Sequence, residues 1–284
     1  MAEPLQFCHL NGQLLPLDAA RISPLDRSFL FGDGVYEVVP VYAGRLFRAA
    51  DHLDRLSRSA AALRLREPHD RAGWLHLMEE LIAANGGGDQ YLYLQLSRGA
   101  EWGRNHAPLP QVAPTVFAFC SPWPQPDPAV MAQGLACITA ADNRWGRCDI
   151  KSVALLGNIL LRQLAVDAGV AEAILLRDGH LTEASASAVH VVLDGVIVTP
   201  PNSSELLPGT SRRVVEELAD QLGIARRDAP VTESQLRHAQ EIWLSAATRE
   251  VQPVTRLDGE AVGSGRPGPL WRRIYDAWQG LKRR

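Results

Sequence analysis

The stretch Ser121-Pro122-Trp123-Pro124-Gln125-Pro126-Asp127-Pro128 constrains the chain more than any other segment. Proline at every second position fixes φ and removes backbone donors, so neither a helix nor a central strand is expected to cross it. The chain is therefore read as two domains, residues 1–121 and 129–284, joined by a proline-rich linker at 122–128. A length of 284 residues allows that division, since domains run to roughly 150 residues each.

Before the linker, Val35 to Tyr42 is rich in β-formers, and Ala43-Gly44 turns it into Arg45-Leu46-Phe47, which predicts a hairpin. Leu53, Leu56, Ala60 and Leu63 recur at helical spacing, as do Trp74, Leu77, Met78, Leu81 and Ile82. Gly86-Gly87-Gly88 ends the second helix, and Tyr91 to Leu96 and Thr115 to Phe119 read as strands. Beyond the linker, Gly134 to Ala140 predicts a strand and Ser152 to Ala168 a helix stopped by Gly169. Asp178-Gly179 and Asp194-Gly195 each interrupt β-formers with the type I′ turn signal, so Ala173 to Thr199 predicts a meander. A helix over Ser211 to Leu222 and strands at Glu241 to Leu244 and Val254 to Leu257 complete the pattern. The fold class is a two-domain mixture, α+β passing into α/β.

With 29 Lys+Arg against 32 Asp+Glu the net charge is −3, which argues against a nucleic-acid surface. Met1 to Pro16 lacks the basic and apolar regions of a signal peptide, and Arg162 and Asp167 interrupt the longest apolar segment, near Val153 to Val170. A cytoplasmic protein without a membrane span is expected. The cysteines Cys8, Cys120, Cys137 and Cys148 form no C-x-x-C pair, so buried reduced thiols are expected, with neither zinc nor a disulfide framework.

Gly32-Asp33-Gly34 lacks the third glycine of a dinucleotide fingerprint and runs into a strand, so it reads as a tight loop. No phosphate-cradling G-x-x-x-x-G-K-[ST] occurs, and Ser185 and Ser187 lack the glycines of a nucleophile elbow. Three features remain, two of them with a plain alternative. Lys151 sits where irregular chain meets an apolar helix, either a solvated surface charge or an amine able to form an imine with a carbonyl. Glu183 closes the first Asp-Gly hairpin. Thr210 and Ser211 open a helix, where they either cap it or help hold an anion. An imine partner, a counter-ion for a ring nitrogen and a phosphate cup are the three groups that pyridoxal 5′-phosphate requires.

The chain resembles the fold-type IV (class IV) pyridoxal-phosphate aminotransferases, and among them the D-amino acid aminotransferases. The resemblance covers nearly the whole chain. It is carried by Asp26-Arg27-Ser28-Phe29-Leu30-Phe31-Gly32-Asp33-Gly34-Val35-Tyr36-Glu37, by His52-Leu53-Asp54-Arg55-Leu56 and by Arg147-Cys148-Asp149-Ile150-Lys151-Ser152. It continues through Leu181-Thr182-Glu183-Ala184-Ser185, Leu207-Pro208-Gly209-Thr210-Ser211-Arg212 and Ser245-Ala246-Ala247-Thr248-Arg249-Glu250-Val251. It implies a small N-terminal α/β domain and a larger, β-rich C-terminal domain with helices, the cofactor lying at their interface.

By that resemblance Lys151 is the imine-forming and proton-moving catalytic residue, and Glu183 partners the pyridine nitrogen. Arg55, Thr210 and Ser211 hold the phosphate together with the backbone at Ala247, and Leu207 packs behind the ring. Arg104-x-His106 matches a loop that binds the substrate α-carboxylate in the neighbouring active site of a homodimer, with Tyr36 and Tyr93 at the aromatic positions. The implied activity is ping-pong amino transfer from a D-amino acid, D-alanine foremost, to a 2-oxo acid such as 2-oxoglutarate. Aminodeoxychorismate lyase and branched-chain or (R)-amine aminotransferases share the implied fold and stay open as alternatives.

Three positions depart from the family pattern. Ala184 replaces a glycine, Ala188 an asparagine, and Ala247 a hydroxyl residue of the phosphate cup. A positive φ is costly at Ala184, Ala188 offers no amide, and weaker phosphate retention is expected at Ala247. These losses also keep open a catalytically idle cofactor-binding protein.

Overall fold

A computed structural model describes residues 3–123 and 128–283, and its contacts divide the chain into two compact units. The first is Met1–Pro124 with Ile150–Leu155; the second is Gln125–Asp149 with Leu156–Arg284. Chain order puts Lys151 after the linker, in the expected second domain, yet its segment packs with the first unit.

The first unit contains β1 (Phe7–Leu10), β2 (Gln13–Pro16), α1 (Arg27–Phe31), β3 (Gly34–Tyr42), β4 (Arg45–Leu46), α2 (Ala49–Ala62), α3 (Arg71–Ala84), β5 (Gln90–Ser97) and β6 (Thr115–Pro122). Its sheet runs β2-β1-β6-β5-β3-β4. Alternation along β5 buries Leu92, Leu94 and Leu96, which join Leu53 and Leu56 of α2 and Trp74, Met78 and Leu81 of α3 in one core. Each such leucine contributes about 1.5–3 kcal/mol on leaving water. The strand β6 extends into the expected linker, because Ser121 and Pro122 pair with Tyr91 and Gln90 at its end. Residues 124–127 of that linker lie outside the described residues.

The short strand β4 pairs only with Val41 and Tyr42, so the Gly34–Tyr36 end of β3 keeps an open edge. The segment carrying Lys151 fills it. Tyr36 N–H donates to the Lys151 carbonyl at 3.0 Å, Val153 N–H donates to the Gly34 carbonyl at 3.0 Å, and Val35 and Ser152 form an antiparallel bridge. That pairing explains why no helix begins at Ser152. Gly32, at φ +70°, ends α1 in the left-handed conformation, and a Cβ there would stand 3.0 Å from the Ala154 Cβ.

The second unit contains α4 (Pro128–Gln133), β7 (Leu135–Ala141), α5 (Leu156–Asp167), β8 (Glu172–Arg177), β9 (His180–Ala184), β10 (Ala188–Leu193), β11 (Val196–Thr199) and α6 (Thr210–Gln221). It continues with β12 (Arg226–Asp228), α7 (Glu233–Arg237), β13 (Glu241–Ala246), β14 (Glu250–Leu257), β15 (Glu260–Ala261) and α8 (Pro269–Leu281). The sheet order is β12-β11-β10-β13-β14-β7-β8-β9, with β15 on β14. Both Asp-Gly hairpins form, with Asp178 and Asp194 at φ 50° and their glycines at φ 74°, as a type I′ turn requires. They do not make a meander, since β13, β14 and β7 separate β10 from β8 and β9. Ala184 lies extended in β9 opposite Ile174, so the positive φ expected to be costly there does not arise. The helix expected from Ser152 starts at Leu156. All four cysteines are buried and free. Among the described residues no helix is long and apolar enough to cross a membrane, and no side-chain group suited to a metal ion occurs.

Candidate active site

Strand pleating puts neighbouring residues of β3 on opposite faces, and the first unit uses both. Glu37 points into the core beside Val35 and Val39 and is fully buried. Arg55 donates to it through Nε at 2.8 Å and Nη2 at 2.7 Å, and His52 Nδ1 lies 2.7 Å from Oε2. Burial alone would raise the Glu37 pKa, but the Arg55 charge and these hydrogen bonds hold it at about 2. Arg55, expected at a phosphate, is thus held by a carboxylate that sequence reading missed. A charged residue in phase with the valines of β3, facing a helix whose buried stripe holds His52 and Arg55, was the signal for it.

On the other face Tyr36 stacks on Tyr93, with ring centroids 5.6 Å apart, and the half-buried Lys151 places Nζ 4.2 Å from the Tyr36 ring centroid. The Lys151 backbone is fixed independently, its N–H donating to Ser59 Oγ at 3.1 Å. Tyr93 donates to Gln95 Oε1 at 2.7 Å, Gln95 to Ser28 Oγ at 3.2 Å, and Ser28 to Asp26 Oδ1 at 2.7 Å. The buried Asp26 also accepts from Ser97 and Thr115, so this chain of hydrogen bonds ends on a fixed acceptor. Burial, then the neighbouring Tyr36, raises the Tyr93 pKa and keeps it a neutral phenol. Three of the expected residues, Lys151, Tyr36 and Tyr93, therefore meet in this unit. Arg104 and His106 meet as well, both against Phe31, on an exposed loop.

In the second unit Glu183, near the end of β9, is buried and accepts a hydrogen bond from Arg144 Nη1 and another from the Leu207 N–H at 3.2 Å. Burial raises the Glu183 pKa against the opposing pull of Arg144, so this carboxyl holds a proton more readily than an exposed one. Arg144 also clamps Asp142 through Nε and Nη2, both at 2.9 Å. Asp142 accepts from Thr182 at 2.9 Å and pairs with Arg177 at 3.1 Å. Burial works to raise the Asp142 pKa, but Arg144 holds it at about 2. Neither Arg144 nor Asp142 was identified from sequence; both lie in the loop after β7, where no periodicity marks them.

Thr210 and Ser211 head α6, both buried, and its N-cap is Gly209, which brings no side chain to accept the first N–H groups. Ala247 stands in the turn between β13 and β14, half-buried. Ala188 opens β10 directly opposite Ser245 of β13. Ser187 Oγ is buried and finds no partner among the described residues.

Residues 34–257 match the family described as Amino-transferase class IV. The D-alanine aminotransferase of Bacillus licheniformis is 39% identical over 269 residues, spanning 95% of this chain and 94% of that protein. The D-alanine aminotransferase of Staphylococcus haemolyticus is 34% identical over 270 residues, spanning 95% of each. Among solved structures, the T.th. branched-chain amino acid aminotransferase with pyridoxamine 5′-phosphate superimposes with a TM-score of 0.93 at 26% identity, covering 99% of this chain and 95% of that one. The Escherichia coli branched-chain enzyme gives 0.89 at 26% identity, covering 98% and 94%.

Proposed function

The chain belongs to the class IV aminotransferases, and from that premise we propose that it moves an amino group from a D-amino acid, D-alanine foremost, to a 2-oxo acid such as 2-oxoglutarate. The observation that carries the reading is the Lys151 amine, aimed at the Tyr36 face by a backbone that is hydrogen-bonded on both sides. The residues fit pyridoxal 5′-phosphate by their chemistry. They offer an amine, a buried carboxyl of raised proton affinity, and a helix start with two hydroxyls and uncapped N–H groups. When bound, this cofactor supplies an electron-withdrawing ring that makes a substrate Cα–H acidic.

Each residue then has a defined role. Lys151 Nζ would take and return the proton at the substrate Cα, where its tether keeps it in reach. Glu183 would pair with the ring nitrogen as its counter-ion, and Leu207, whose N–H fixes Glu183, would pack behind the ring. Arg55, Thr210, Ser211 and the N–H at Ala247 hold the phosphate. Arg104 and His106 bind the substrate α-carboxylate, and the Tyr36–Tyr93 pair limits the side-chain space beside it. Following the cofactor absorbance while D-alanine, L-alanine and L-leucine are titrated in turn tests the reading. The spectrum is expected to collapse with D-alanine alone; a response to L-leucine in preference would favour the branched-chain alternative.

We also infer a homodimer in which the Arg104 loop serves the neighbouring chain. In α5 only Leu161 and Ala165 are buried, whereas Leu156, Ile159, Leu160, Leu164 and Val166 are 48–70% exposed, more apolar surface than a helix facing only water carries. In the first unit Trp102, on the loop itself, is 94% exposed. A second copy is the partner that covers such faces symmetrically. Mixing inactive Lys151→Ala protein with Arg104→Ala protein under subunit exchange is expected to restore about a quarter of wild-type activity, since half the dimers are mixed and each regains one of two sites. No recovery would mean that the loop serves its own chain.

A further inference from the structure

Arg27, the first residue of α1, is only 3% exposed, and its guanidinium is shared between two kinds of acceptor. Its Nε donates to Asp33 Oδ2 at 2.9 Å, and Nη1 pairs with Glu101. Nη1 also donates to the Asn105 carbonyl at 2.7 Å, and Nη2 to the His106 carbonyl at 2.9 Å. The loop is closed further on itself, because the other Glu101 oxygen accepts the Leu109 N–H at 2.8 Å and Asn105 Oδ1 accepts the Ala107 N–H at 3.2 Å. Its base is fixed as well. The Gly99 carbonyl accepts the Arg27 N–H at 2.9 Å, and Gly99 has φ +102° where a Cβ would stand 1.8 Å from the Ala113 carbonyl oxygen.

The side chains of the loop converge on one ring. Arg104 Cζ lies 4.9 Å from the Phe31 centroid, the His106 ring meets it edge-on at 5.7 Å, and Arg27 Cζ itself sits at 4.7 Å. A merely structural arginine would need only Asp33 and Glu101. The two further bonds reach the main chain of residues 105 and 106, in a stretch where 102–110 are all exposed and no apolar anchor is buried. Only a planar fork divides its donors in this way; a lysine ammonium presents a single point charge. Ordering so exposed a loop on substrate arrival would cost side-chain and backbone entropy, which preorganisation removes.

We propose that Arg27 is a positioning residue for substrate recognition: it fixes the backbone at Asn105 and His106 and, with Phe31, sets the Arg104 and His106 side chains before substrate arrives. This rests on the reading of Arg104 and His106 as the α-carboxylate site. The test uses holoenzyme carrying Arg27→Lys, Arg27→Gln, Phe31→Leu or Arg104→Ala. Arg27→Lys and Arg27→Gln are expected to raise KM for both D-alanine and 2-oxoglutarate about tenfold, with kcat within about threefold of wild type. The cofactor absorbance stays unchanged, and amide hydrogen exchange quickens in residues 101–109 while β3 and β5 keep their protection.

Unchanged KM in the Arg27 variants overturns the proposal, as does exchange that quickens throughout the first unit together with a fallen Tm, which would make Arg27 structural. Should neither Arg27 variant fold, Phe31→Leu keeps the Arg27 bonds to the loop backbone and removes the ring, and the same split between KM and kcat is expected; no change in KM there overturns the proposal. Arg104→Ala separates the two levels. If it leaves KM unchanged, the carboxylate reading falls and the proposal with it; if it raises KM while the Arg27 and Phe31 variants do not, the proposal alone falls.

Discussion

Replacing Lys151 by alanine is expected to lower turnover of D-alanine roughly ten-thousand-fold or more, because one amine serves both as the covalent partner and as the general base. The substitution removes only side-chain atoms from a segment whose backbone is held through its own N–H and C=O, by Ser59 and Tyr36. The fold should therefore survive, and circular dichroism and Tm close to wild type would separate lost chemistry from lost structure. Lys151→Arg is expected to be equally inactive. It restores the charge over the Tyr36 ring but brings a guanidinium that does not give up its proton near neutrality. Stopped-flow mixing of either variant with D-alanine checks this, and turnover within tenfold of wild type would sink the assignment.

The second large effect is on stability. Arg144→Met is expected to cost about 3–5 kcal/mol, because it strands two buried carboxylates at once. Asp142 would keep Thr182 and Arg177, whereas Glu183 would keep only the Leu207 N–H among the contacts described above. The sign of the associated pH effect follows from the Asp142 carboxyl, which Arg144 holds at about 2, below its unfolded value. That stabilisation is present above the unfolded pKa of roughly 3.9 and is lost as pH falls toward 2. The variant should therefore be most penalised near neutrality and least at strongly acid pH. A fall in Tm of roughly 10 °C at pH 7, shrinking as the pH drops, is the expected thermal scan. A loss below about 1 kcal/mol at pH 7 would show that the cluster relaxes without its arginine.

What could be read from the sequence divides along the range of the interaction that decides each element. The Asp178-Gly179 and Asp194-Gly195 turns are local chemistry, and both form as their dipeptides require. The order of the strands around them is not local, because β10 finds its partner in β13, more than forty residues on. Apolar spacing extends back to Val153 and so predicts too early a helix start. The Val153 N–H is instead taken by the Gly34 carbonyl, a pairing that no window of sequence contains. The helix α8 went unrecognised although Trp271, Ile274 and Trp278 recur at helical spacing and Pro269 stands in its first turn. Its start has a glycine at the N-cap, and the capping acceptor is Glu241 of β13, which takes the Leu270 and Trp271 N–H groups at 3.0 and 2.9 Å.

The candidate site shows the same division. Lys151 and Glu183 could be named because they lie in short runs that resemble a known family. Their supports could not, since Arg144 reaches Glu183 across 39 positions and Arg27 reaches Glu101 across 74. Such pairs leave no period and no spacing to read. Glu37 is the intermediate case, a carboxylate in phase with buried valines whose partner Arg55 lies in a helical stripe of buried residues.

The Ile150–Leu155 segment also governs how this chain can be recombined. It belongs to the first unit, yet it is encoded between two stretches of the second. A crossover with a relative at the proline-rich break would look neutral on a linear map. It would nonetheless set one parent's lysine segment against the other parent's β3 edge, and one parent's Ile150 into the other's apolar core. The seam that preserves the first unit therefore has three cuts, and a library that shuffles this family at the break alone breeds mismatched edges in every hybrid.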